Sequence, residues 1–290
     1  MTMNRAFAKT YSYWFLLPAA LIYGLFFLVP TLVSFFFSMT RWTLVEWDFV
    51  GFDNFVSFFS ESSLNIGFMN TVIFAVVTAG LKVVVGFLLA VLLTSDLRSK
   101  HILRSIIFFP TLVSTIAVGI TFSNLFHPTM GAINILLARI GIAGPDWLGD
   151  VHLALLSVAF VDVWKGVGIA LVIFIAGILA IPEHYYEALA IDGGNAWNKF
   201  WGLTVPLARP ALNSVILLAF IGGLRSFDLV WTMTGGGPGF TTDLIASIIY
   251  KQYQAGFYGL ATAGNVILVI LVSALAFPLF RFLSKTEVDL

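Results

Sequence analysis

EALAIDGGNAWNKFWGLTVP, residues 187 to 206, brings Glu187, Asp192, Lys199, two adjacent glycines and a proline into a chain that is otherwise mostly hydrocarbon. Of the 290 residues, 59% are hydrophobic and only 10% charged, and the mean hydropathy is +0.98. Soluble domains carry about 25% charged residues, so this chain cannot cover itself with a water-facing surface and reads as an integral membrane protein. Its formal net charge is zero, which suggests no nucleic acid partner. Cysteine is absent, so disulfides, thiolate metal sites and cysteine nucleophiles are excluded. His101, His127, His152 and His184 are scattered without metal-ligand spacing.

A helix crossing the bilayer core needs about 20 apolar residues. Six runs qualify, at about 13–38, 68–94, 105–126, 151–181, 211–233 and 259–283. The first is longer than the apolar core of a signal peptide and reads as a retained span. The expected fold is all-α, a single transmembrane domain over residues 1–290. Lysine and arginine mark cytosolic segments. With the N-terminus inside, the cytosolic side holds Arg5, Lys9, Arg98, Lys100, Arg104, Lys199, Arg209, Arg281 and Lys285, against Arg41, Arg139 and Lys251 outside. Both termini are therefore expected in the cytosol, and so is the polar segment 182–209.

That segment has the grammar of two short helices. Pro182 suits a helix start, and Glu183 follows where the helix dipole favours an acid. EHYYEALAI holds good helix formers, and Gly193-Gly194 is a natural stop. Asn195 can cap a second helix ending before Pro206, and Pro210 opens the next span. Ala188, Ala190, Gly193 and Gly194 permit close approach, while Tyr185, Tyr186, Trp197, Phe200 and Trp201 supply anchors. Two readings fit: a docking element for a cytosolic protein, or an amphipathic hairpin resting on lipid headgroups.

Ionisable residues inside spans are expensive and usually face a partner or a cavity. Asp162 and Lys165 are three apart, as are Arg225 and Asp228, which on a helix puts each pair on one face. Trp164 and Trp231 sit at comparable depth. Together they suit a polyhydroxylated solute, with aromatic faces covering a sugar ring. They equally suit structural ion pairs with interfacial tryptophans. Lys82 has no partner at helical spacing and must find one on another helix or reach water. Gly235, Gly236, Gly237 and Pro238 lack the lysine of a phosphate-binding loop. They form either a tight turn after the fifth span or a docking or gating loop at the external mouth. No catalytic constellation is present, so no enzyme activity is expected, and any ATP-driven function must borrow its engine. An ion-coupled secondary transporter is the alternative, although such proteins commonly show inverted repeats and broken helices, neither of which is evident here.

The spacing from Glu187-Ala188-Leu189 through Gly193 to Leu203-Thr204-Val205-Pro206 resembles the EAA loop of ABC-importer permeases: E-A-A, three residues, G, nine residues, I-x-L-P. Leu189, Leu203 and Val205 depart from the pattern but stay apolar. Asp192-Gly193, Pro210, FVGFDNF at 49–55 and TGGGPG at 234–239 resemble the carbohydrate-importer branch, maltose-type or glycerol-phosphate-type, and its first membrane subunit. The resemblance covers essentially the whole chain. It implies a type I importer permease in a bacterial or archaeal cytoplasmic (inner) membrane, paired with a second homologous permease. Two cytosolic ATPase subunits would hold the Mg-ATP, this chain carrying no cofactor, and an external solute-binding protein would deliver a sugar or polyol. It also implies ATPase coupling through Glu183, Glu187, Ala188, Asp192, Gly193, Gly194 and Pro206.

Overall fold

The structure, a computed structural model, describes residues 13–60 and 62–285. Arg5, Lys9 and both chain ends, which entered the orientation argument, lie outside the described residues. Helix α1 (Trp14–Phe37) leads to a hairpin of β1 (Thr40–Trp42) and β2 (Trp47–Phe49), then to α2 (Asp53–Ser60) and α3 (Ser62–Thr94). Next come α4 (Lys100–Leu112), α5 (Thr115–Leu125), α6 (Ala132–Arg139) and α7 (Ala154–Leu179). The chain continues through α8 (Glu183–Ile191), α9 (Ala196–Leu207), α10 (Arg209–Leu224), α11 (Asp228–Met233), α12 (Ile245–Gln254) and α13 (Tyr258–Ser284). By length and composition α1, α3, α7 and α13 can each cross a membrane, and the bent pairs α4–α5 and α9–α10 bring the number to six if each is one span.

The apolar run 105–126 is therefore not one straight helix. It bends by 97° where Val113 and Ser114 turn extended, three residues after Pro110, whose ring removes a helical N–H donor. The run 211–233 is also interrupted. Helix α10 stops at Leu224 after the pair Gly222-Gly223, and Phe227 leaves helical geometry before α11 begins. Hydropathy reports burial in hydrocarbon, not backbone continuity, so neither break could be read from it. The segment starting at Ala196 runs through Pro206 instead of ending before it. A π-turn over Lys199–Thr204 shifts the hydrogen-bond register, and the Thr204 hydroxyl donates to the Lys199 carbonyl at 3.0 Å. Proline then opens a short new helical turn, where its missing N–H costs little.

The backbone divides into two units, Met1–Ser60 with Ile249–Ile267, and Glu61–Ile248 with Leu268–Leu290. In the described part of the first, Asn54 donates from α2 to the carbonyls of Ser38 and Thr40 at 2.9 and 2.8 Å, pinning the hairpin. Trp42 stacks on Phe37 with ring centres 4.3 Å apart. Gly259 lets the Thr40 carbonyl sit where a side chain would be.

The second unit is organised around α3 and α7. Phe87, Ala90 and Leu93 of α3 pack on Ala170, Leu171 and Phe174 of α7, with Phe87 and Phe174 edge to face at 5.2 Å. Small residues bring the helices together. A Cβ on Gly86 would press on Ala170, one on Gly223 would collide with the Ala75 backbone, and one on Gly177 with Ala211. Where lipid removes the hydrophobic drive between helices, such close backbone packing supplies the attraction. A second cluster joins Phe74, Val118, Val158, Val161, Leu229 and Val230, so α11 is packed inside the unit and is not a loose end.

Candidate functional site

The polar hairpin is built from the backbone outward. Helix α8 ends in a Schellman arrangement: Gly193 takes φ +76°, its N–H reaches the Ala190 carbonyl, and the Gly194 N–H reaches the Leu189 carbonyl at 2.8 Å. Nothing stands within 4 Å of where a Cβ on Gly193 would lie, so the demand there is conformational. Gly194 is constrained differently, since a Cβ would overlap the Leu189 side chain. Asn195 then caps the next helix, its side-chain oxygen accepting from the Asn198 N–H at 2.9 Å.

Two residues of the hairpin turn inward and seat it. Tyr186 and Phe200 pack against the α3–α7 core, Phe200 lying 5.8 Å from the Phe87 ring. The Tyr186 hydroxyl meets that of Thr204 at 3.3 Å, and the Lys199 ammonium lies 4.6 Å from the Tyr186 ring centre. Other side chains face outward: Glu183, Glu187, Ala188 and Asp192 are exposed, and Ile191 is 86% exposed. Trp197 and Trp201 are also exposed, and Pro206 is half-buried. A large apolar side chain as open as Ile191, on a hairpin anchored by other residues, is a surface prepared for contact. Beside it a cleft of about 760 Å³ opens between the ends of α3 and α7 and the segment 196–204, lined by Asp96, Glu183, Tyr186, Lys199 and Thr204 among others. The end of α3 is held by Arg104, whose guanidinium donates to the Leu93 carbonyl at 2.6 Å.

At the other end of α3 lies the glycine loop. Gly235, Gly236 and Gly239 have φ between +54° and +93°, and the Gly237–Pro238 peptide is cis. The Thr234 and Thr242 hydroxyls meet at 2.7 Å, and Asn70 of α3 donates to the carbonyls of Thr241 and Asp243 at 2.9 and 3.1 Å. The Ile245 N–H donates to the Thr71 hydroxyl at 3.0 Å, so this loop too is clamped to α3.

The charges within the spans are arranged otherwise than their sequence spacing suggests. Asp162 does not pair with Lys165; its carboxylate receives the Lys82 ammonium of α3 at 2.6 Å, with side chains 18% and 12% exposed. Gly166, one turn beyond Asp162, makes room, since a Cβ there would lie 2.7 Å from the Lys82 Cε. Arg225 and Asp228 form no ion pair among the described residues, because the break between α10 and α11 removes the helical geometry that spacing of three requires. Both are exposed. Trp164 lies 5.1 Å from Phe122 of α5, and Trp231 stacks on Phe227 at 5.8 Å. Asp162 thus faces α3 while Trp164 faces α5, so the six residues do not close into one ring of pairs. Tyr186 was legible as an anchor, but its contact with Thr204 and the role of Gly166 were not; the glycine four residues after Asp162 was the available signal for the last.

Residues 82–286 match the family model described as binding-protein-dependent transport system inner membrane component. The permease protein MalF of the trehalose/maltose transport system of Thermococcus litoralis is 31% identical over 263 residues, covering 90% of this chain and 89% of its own length. The permease protein UgpA of the sn-glycerol-3-phosphate transport system of Agrobacterium fabrum is 31% identical over 284 residues, covering 96% of each. A bacterial alginate ABC transporter, solved in complex with an alginate pentasaccharide-bound periplasmic protein, holds a chain that superposes with a TM-score of 0.81 over 96% of both, at 20% identity, and so attests the fold. On the family match and the identity across nearly the whole chain, this protein belongs to the family of inner membrane components of binding-protein-dependent transport systems, and is a multi-pass protein of the cytoplasmic membrane.

Proposed function

We propose that this chain is the first of two homologous permease subunits in an ATP-driven importer of a sugar, oligosaccharide or related polyol. An external solute-binding protein delivers the substrate, and two cytosolic ATPase subunits supply the energy. The observation that carries this reading is the hairpin: a contact surface of Glu187, Ala188, Asp192 and Ile191, held by backbone geometry and seated on the α3–α7 core through Tyr186 and Phe200. Movement of a partner gripping that surface would pass directly into α3 and α7. The surplus of lysine and arginine on one side supports six spans with both termini and segment 182–209 in the cytosol. The glycine loop, at the other end of α3, is then external and open to a binding protein. The sugar and sugar-like solutes named for the relatives support the substrate class. An ion-coupled mechanism, the alternative raised by the intramembrane charges, is not strengthened by the spans that prove broken, since it gains nothing from a docking hairpin and the family match is to binding-protein-dependent systems.

In the assembled importer, Glu187→Ala is expected to reduce ATP-dependent uptake about tenfold, the loss of one charge-assisted contact, with normal amounts of permease in the membrane. Uptake at the wild-type rate with the ATPase still bound would contradict the coupling role.

A further inference from the structure

The engagement of Asp162 by Lys82 leaves Lys165 in an unusual position. It is the twelfth of the 26 residues of α7, about 16 Å from the helix start at 1.5 Å per residue. Its side chain is half-buried, and among the described residues its ammonium meets no hydrogen-bond or ion-pair partner. Only its backbone is engaged, the carbonyl accepting from the Thr111 hydroxyl of α4 at 3.0 Å. At 100° per residue Lys165 stands between Ile169 and Val172, which are 49% and 48% exposed, roughly a quarter turn from the Asp162–Gly166 edge that meets α3. A bare ammonium at this depth is costly against lipid and is retained where it meets water or a partner. Away from the ends of the spans the other charges cancel: Lys82 against Asp162 in direct contact, and Arg225 against Asp228 in sign, both exposed at the break. Lys165 is the remainder, one positive charge at mid-depth.

We propose that Lys165 is a specificity-determining residue that lines an aqueous path along the Lys165–Ile169–Val172 edge of α7 and favours anionic solutes. The substrate class would be a carboxylated or phosphorylated saccharide or polyol. This rests on the permease reading and narrows it.

The chain holds no cysteine, so an introduced one is a clean probe. Ile169→Cys is placed one turn from Lys165 in the assembled importer in membrane vesicles, with the importer lacking that cysteine as background and the buried Val161→Cys as control. The probes are the anionic reagent methanethiosulfonate ethylsulfonate and the cationic ethyltrimethylammonium methanethiosulfonate. Both should modify Ile169→Cys. Adding Lys165→Met or Lys165→Gln should lower the anionic-to-cationic rate ratio about tenfold, as expected for removing a nearby charge in a partly desolvated site, whereas Lys165→Arg should preserve it. An unreactive Ile169→Cys, the result if a partner's side chain covers this edge, would overturn the proposal. So would a ratio unchanged within about twofold on neutralising Lys165. Uptake of a uronate disaccharide and of its neutral counterpart is measured alongside. Transport of neither by the parent importer would count against the carbohydrate reading, while the rate ratio would still decide the role of Lys165.

Discussion

The hairpin at 183–207 and the charged group between α3 and α7 hold their polar atoms in opposite ways. In the hairpin the acids are exposed, and order comes from the backbone: a left-handed glycine, a cap, and two aromatics turned inward. Between α3 and α7 the charges are part-buried, and order comes from the pair itself, with Gly166 giving Lys82 its space. Exposed and unpaired polar groups on an ordered support leave their bonding capacity for a partner. Part-buried and paired ones use it within the fold. Position along the bilayer therefore matters less than whether the bonding capacity is already filled.

The comparison breaks most sharply at the ion pair. Lys82→Met or Asp162→Asn alone leaves an uncompensated part-buried charge or dipole and should cost about 3 kcal/mol, the low end for breaking a buried pair, seen as a lower unfolding temperature in detergent. Lys82→Met combined with Asp162→Leu should recover most of that loss. Gly166→Val tests the same site by volume: its methyl groups enter the space of the Lys82 stem, costing about 1–3 kcal/mol in the same assay.

Substitutions in the hairpin should separate stability from coupling. Gly193→Ala forces a side chain into the left-handed region at a cost of about 1–2 kcal/mol, confined to the end of α8. Uptake should fall while the unfolding temperature of the bundle barely moves. The smallest effect is expected at Asn195→Ala, about 1 kcal/mol for a lost cap, visible as faster amide exchange at residues 196–198 with modest loss of transport. A hairpin variant that unfolds the bundle, or an ion-pair variant that leaves its stability unchanged, would erase the distinction.

Long apolar runs located α1, α3, α7 and α13 because each is continuous in both hydropathy and backbone. The breaks at 113–114 and 225–227 were hidden, since hydropathy does not register where the backbone leaves helical geometry. Helices α2, α6 and α12, and the hairpin of β1 and β2, lay in segments read only as polar connections. The Asn195 cap was legible because it needs only neighbouring residues. The partner of Asp162 was not, because local spacing offered Lys165 while Lys82 lies 80 residues away. Tyr186 and Phe200 were visible as aromatics, but which anchors turn inward depends on the helix orientation that Gly193 and Gly194 set.

We propose that this chain takes hold of an ATPase subunit through the exposed face of α8. A photocrosslinking amino acid at Ala188 in the assembled importer tests it, with Gly237 in the loop at the other end of α3 as the comparison. A covalent adduct to the ATPase subunit is expected from position 188 and none from position 237. No ATPase adduct from 188, or equal yields from both positions, would contradict it.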